Sequence, residues 1–209
     1  MRKYVLLIMC VVLCLTFVSC KKEAAGSAPV ADAVVGVWSA KIDMTDTVNQ
    51  MVYHQIGAET VVFEFPVTLI LSLQSDGTYH VDIDREDLDV QLGRLADVFW
   101  QTVVDQAKAQ SHLSSDEAIQ ALRAQGKTKE ALMHQLDLVS LFENGYVENG
   151  VWKQSESLLC FAKDESAINT AEEHSYSLKG SKLSITYTDV NDNGEPVTNV
   201  ISFEKITTQ

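Results

Sequence analysis

The stretch Val61-Val62-Phe63-Glu64-Phe65-Pro66-Val67-Thr68-Leu69-Ile70-Leu71-Ser72-Leu73 decides the fold. Val61, Phe63, Phe65, Val67, Leu69, Leu71 and Leu73 fill every odd position of it. An unbroken set of apolar odd positions fits the strand repeat of 2 and not the helical 3.6. The even positions carry Val62, Glu64, Pro66, Thr68, Ile70 and Ser72, so the stretch reads as one long strand with one buried face. Pro66 has no N–H to give to a ladder, so the strand bends there or lies at an edge. Asp76-Gly77 then supplies a tight turn, and Tyr79, Val81 and Ile83 carry the odd-position pattern into a second strand.

After Ile83 the period changes. Over 86–108, Leu88, Leu92, Leu95, Phe99 and Val103 recur at spacings of three and four, with Arg94, Asp97, Gln101, Asp105 and Lys108 opposite. That is an amphipathic helix. Ser114-x-x-Glu117 is a capping box for a second helix, which Gly126 ends. Thr128 is placed to cap a third, carrying Leu132, Leu136 and Val139 and running to about Phe142 before Asn144-Gly145. The helical insertion therefore spans 86–143. Strand patterns return near 146–153, 156–163, 173–179, 182–189 and 197–206. Asn149-Gly150, an acidic link at 164–171, Lys179-Gly180-Ser181 and the polar run 191–194 read as their separators.

Upstream of the deciding stretch, Gly36-Val37-Trp38 opens a strand with Trp38, Ala40 and Ile42 on one face. Thr45 is placed to cap a short helix, with Val48, Met51, Val52 and Ile56 on one side and Gly57 as its stop. The chain is thus mainly β with a helical insertion, an α+β fold. Its strands, about eight, form an antiparallel up-and-down barrel or a tightly curled sheet.

The first residues carry a different message. Arg2 and Lys3 precede an apolar run from Tyr4 to Val18, broken by Thr16, and a small residue, Ser19, follows. A basic head, a short apolar segment and a small residue at the cut describe a secretory signal peptide. The run falls short of the ~20 residues of a membrane span. Phe17-Val18-Ser19-Cys20 resembles the lipobox of bacterial lipoproteins, with Phe17 where that family usually has Leu. The resemblance implies a signal peptide at 1–19 and a lipidated Cys20 that becomes the new N-terminus. It also implies an extracytoplasmic protein anchored to a bacterial membrane, on the cell surface or the periplasmic side. Residues 21–33 are small, polar and aperiodic, so 20–33 reads as lipidated cysteine and tether, and 34–209 as the β domain.

Loss of Arg2 and Lys3 with the signal moves the formal charge from −13 to −15. So acidic a body argues against nucleic acid, whose phosphates demand Lys and Arg. It also argues against a broad hold on anionic lipid, save at Lys21 and Lys22 beside the anchor. Cys10 and Cys14 lie in the signal, which leaves Cys160 as the body's thiol, within the apolar run Leu158-Leu159-Cys160-Phe161. It reads as buried and inert, without an internal disulfide.

Gly36-x-Trp38 at the head of a meander of about eight strands is similar to the lipocalin-type barrel and its bacterial lipocalin-like lipoprotein relatives. The resemblance implies that Trp38 closes one barrel end and packs on a basic side chain from the end of the last strand, here Lys205. A barrel of this size holds one small apolar or amphipathic ligand if hollow, or packed side chains if filled. The candidate wall residues are Trp38, Phe63, Phe65, Leu69, Leu71, Tyr79 and Phe203. Trp100 joins them if the helical block caps an open end.

His80, Asp82 and Asp84 alternate along a strand and share a face, a donor set for a divalent metal. The solvated side of that strand explains them as well, and no metal is assigned. Asp189-x-Asn191-x-Asn193-Gly194 resembles the first half of a calcium-binding EF-hand loop. Its twelfth position is Val200 and its flanks read as strands, so it reads as a polar hairpin turn. There is no nucleophile elbow, phosphate loop or dinucleotide fingerprint, and no catalytic residue or cofactor is assigned. The expected function is a non-catalytic binding module for a small ligand. The alternative is an envelope structural or interaction protein that uses the helical block as its partner surface.

Overall fold

The computed structural model describes residues 31–56, 63–136, 142, 147–190 and 193–207. The expectations on the signal peptide, Cys20, Gly57, Val61, Val62, Val139, Asn144-Gly145 and Asn191 lie outside the described residues.

The strands are β1 Gly36–Asp43, β2 Pro66–Leu73, β3 Thr78–Ile83, β4 Glu148–Ser155, β5 Leu158–Ala162, β6 Glu173–Lys179, β7 Lys182–Val190 and β8 Pro196–Lys205. They close into an antiparallel barrel in which each strand lies beside its neighbours in sequence, the up-and-down order expected of a lipocalin-like meander. The helices are α1 Ala31–Val34, α2 Thr45–Ile56, α3 Arg85–Ser111, α4 Ser115–Ala124 and α5 Lys129–Leu136. The described residues fall into two compact units. The first takes those within 1–40, 69–82 and 145–209, and the second those within 41–68 and 83–144.

In the first unit α1 occupies the end of the expected tether. Val34 is buried there and its carbonyl accepts the Trp38 indole N–H at 2.8 Å, which fixes the chain before β1 begins. The β2–β3 turn forms at Asp76-Gly77 as expected. Gly77 takes a positive φ of 84°, and Asp76 accepts both the N–H and the hydroxyl of Thr78. Those bonds to the ionised form hold the Asp76 carboxyl below its usual range. β7 pairs β8 from Lys182↔Glu204 to Val190↔Pro196. One buried cluster joins Trp38, Leu71, Leu73, Tyr79, Leu159 and Phe203 with their neighbours.

Asn149-Gly150 is not a separator. Both residues lie inside β4, opposite His80 and Tyr79, and the β4–β5 turn falls at Glu156-Ser157, where Glu156 takes a φ of 45°. Gly150 is needed for space. A Cβ there would lie 2.1 Å from the Ala162 carbonyl oxygen and 2.6 Å from the Tyr79 ring.

In the second unit Thr45 does not cap α2. Asp43 Oδ1 accepts the Thr45 N–H at 2.9 Å, while Thr45 Oγ1 accepts the N–H of Phe65, also at 2.9 Å. The long strand expected from Val61 begins only at Pro66. Before it, Phe63 and Phe65 find their backbone partners on α2 and its approach. The Asn49 side chain takes the N–H and C=O of Phe63 at 3.1 and 3.2 Å, and Met44 N–H donates to the Phe65 carbonyl at 2.9 Å.

α3 starts at its N-cap Asp84, whose carboxylate accepts the Asp87 N–H. It buries Leu88, Gln91, Leu95, Ala96, Phe99 and Val104. Leu92 and Val103, expected on that face, are half-buried. The buried Gln91 donates its Nε2–H to Asp87, and Asp87 accepts the Thr68 hydroxyl at 2.6 Å, while Gln91 Oε1 is buried without a hydrogen-bond partner among the described residues. The Ser114–Glu117 capping box opens α4 as expected, and Gly126 follows its end with a positive φ of 74°. Thr128 Oγ1 accepts the Ala131 N–H at 3.2 Å, the expected cap of α5.

Candidate functional site

Trp38 belongs to the buried cluster of the first unit and is joined there by Lys205. The two residues are register partners across β1 and β8. The Lys205 ammonium sits 5.0 Å from the Trp38 ring centroid and donates to the Val35 carbonyl at 3.1 Å. An ammonium over an indole face is held by the ring's negative quadrupole. Gly36 has a φ of 145°, and a Cβ on it would meet Lys205 Cε at 2.8 Å. The glycine of Gly-x-Trp therefore leaves room for the lysine stem beside the Trp38 ring.

The candidate wall residues separate into four places. Trp38, Leu71, Tyr79 and Phe203 are buried in the cluster of the first unit. Tyr79 is edge-on to Phe161 at 5.1 Å, and its hydroxyl donates to Glu148 at 2.8 Å. Burial and that carboxylate push the phenol above its usual range. Leu69 is buried on β2. Phe63 and Phe65 belong to the second unit, where Phe65 stacks on Phe142 at 5.6 Å with an interplanar angle of 5°. Trp100 packs on Val104, Ala118 and Leu122, between α3 and α4.

The side chains of His80, Asp82 and Asp84 do not converge. His80 Nδ1 lies 2.6 Å from Asn149 Oδ1, its Nε2 lies 3.6 Å from Asp82, and Asp84 is taken up as the α3 cap. Among the described residues no group of three or more His, Cys, Asp or Glu is placed to hold a metal ion. Asp189 lies at the end of β7 and accepts the Val190 N–H, within the hairpin expected there. Cys160 is a buried free thiol.

A cleft of about 480 Å³ opens in the second unit, lined by Phe63, Glu64, Arg94, Asp97 and Val98. One wall is α3, where the spacings of three and four put Arg94, Asp97 and Val98 on one side. The other wall is the Phe63-Glu64 backbone, which Asn49 clamps from α2 at both its donor and its acceptor. The Phe63 ring lies 6.1 Å from that of Phe65, which backs it. The Asp97 carboxylate is bonded to the Lys129 ammonium. Arg94 and Glu64, by contrast, make no hydrogen bond or ion pair among the described residues, with each other or with a third group. The cleft therefore holds an unpaired cation and an unpaired anion on opposite walls, with apolar surface from Phe63 and Val98 beside them.

Of these five residues, sequence reading selected only Phe63 as a wall. Arg94 and Asp97 read as the polar side of a helix and Glu64 as the outer face of a strand. The readable signal was Val98, a valine on the polar side of α3 that stays 36% exposed.

Comparison of the chain with protein-family models, with curated proteins and with solved structures gave no match.

Proposed function

We propose that the chain is an extracytoplasmic lipoprotein, anchored to a bacterial membrane through Cys20, whose domain binds a small amphipathic ligand without transforming it. The observation that carries the binding reading is the cleft of the second unit. Its volume of about 480 Å³ lies in the range of roughly 300–1,000 Å³ typical of small-molecule sites. Its lining pairs apolar contact from Phe63 and Val98 with charges free to fix orientation. The anchor reading rests on the N-terminal pattern that ends at Cys20.

Native mass spectrometry of the protein isolated from its own host tests both parts. The expected spectrum has a lipid-modified N-terminus at Cys20 and an adduct, roughly a few hundred daltons, that leaves on denaturation. Protein carrying Cys20→Ala should no longer sediment with membranes. Retention of that variant on the membrane overturns the anchor, and an adduct-free native spectrum overturns the binding reading.

A further inference from the structure

We infer that the cleft selects zwitterions, taking a carboxylate on Arg94 and an ammonium on Glu64 while Phe63 and Val98 hold an apolar side chain. This rests on the reading of the cleft as the ligand site and names the class of ligand. Arg94 and Glu64 line the cleft without forming an ion pair. Arg94 projects from α3 and Glu64 from the clamped stretch before β2, yet the two are not within ion-pair distance of each other. Both are exposed at the rim, and neither finds a partner among the described residues. The third charge of the lining, Asp97, is already neutralised by Lys129. What the cleft leaves to a ligand is therefore one positive and one negative group with apolar surface alongside.

The same arrangement excludes other classes. A simple anion would meet Arg94 but also face the Glu64 carboxylate. A simple cation would meet Glu64 and face the guanidinium. A dianion such as a phosphate monoester gains one good contact at Arg94 and meets a repulsive one at Glu64. Only a molecule carrying both signs satisfies both walls at once, and the guanidinium fork matches a carboxylate in two parallel hydrogen bonds. Asn49 holds both backbone groups of Phe63 and so keeps that stretch of chain beside the cleft.

The test is a set of NMR titrations of the intact chain, following the Val98 methyls and the Arg94 Nε–H. The probes are L-phenylalanine, 3-phenylpropionate (no ammonium) and phenethylamine (no carboxylate). The expected order has L-phenylalanine tightest and each truncated probe weaker by about tenfold or more, the loss of one charge-assisted contact. Arg94→Met should erase the preference for L-phenylalanine over phenethylamine, and Glu64→Gln the preference over 3-phenylpropionate. Both side chains are exposed, so thermal midpoints should stay where they are in the parent. If the three probes shift the Val98 methyls with equal affinity, the zwitterion inference fails and the cleft remains a site for amphipathic molecules. If none shifts them, the inference and the reading beneath it fail together.

Discussion

Gly150 carries more of the fold than its place in an Asn-Gly pair suggests. Its missing side chain leaves room for the Ala162 carbonyl of β5 on one side and the Tyr79 ring of β3 on the other. The ring lies against a position without a Cβ, an arrangement that recovers packing a glycine otherwise forfeits. Ala at 150 puts a methyl 2.1 Å from a backbone oxygen, a contact that only movement of β4 or β5 relieves. Gly150→Ala should destabilise the protein by about 3 kcal/mol, read as a lower urea midpoint at unchanged slope. A variant that unfolds at the parent midpoint contradicts the crowding. The sequence could not reveal this, because Asn-Gly is a strong local turn signal and the crowding comes from residues far along the chain. Trp38 is the opposite case. A register that ends β8 beside the start of β1 brings Lys205 to its ring, the contact that the lipocalin resemblance of Gly36-x-Trp38 implies.

Among the elements, the stretch that decided the fold was read well in burial and less well in pairing. Phe65, Val67, Leu69, Leu71 and Leu73 are all buried, as the alternation demanded. The strand nevertheless starts at Pro66, since periodicity reports which side chains are covered and not what covers them. Phe63 and Phe65 take backbone bonds from Asn49, Thr45 and Met44 instead of a neighbouring strand. Pro66, which lacks an N–H, marks the change. The clamp is thus a property of α2 acting on an irregular segment. Asn49→Ala removes a donor and an acceptor and leaves both polar groups of Phe63 unpaired in a partly buried setting. The expected cost is about 2 kcal/mol in thermal or urea unfolding, together with weaker ligand binding as the cleft wall loosens. Unchanged stability in that variant would show that the clamp holds nothing. The helices were legible because their signals are local, namely the capping box at Ser114 and Glu117 and the cap at Thr128.

At the scale of the whole molecule, the barrel was legible and the cleft was not, for one physical reason. A barrel of consecutive antiparallel strands follows from short-range signals repeated along the chain, each turn placing the next strand beside the last. The cleft arises where residues 63–64 and 94–98 meet, and each group alone looks like an ordinary solvated face. The residues expected to line one interior fell instead into the cluster around Trp38, the aromatic stack of Phe65 with Phe142, and the seam of Trp100 with α4. On the function proposed above, the ligand lies in the helical unit and the Trp38 cluster serves stability. Hydrogen exchange on host-derived protein that retains its ligand, compared with the same protein stripped and refolded, tests that placement most directly. Exchange should be slower in the ligand-bound protein over peptides covering 63–65 and 91–98, with β1, β8 and the Leu71–Leu73 end of β2 unchanged. Protection centred on those strands, or none anywhere, would contradict it.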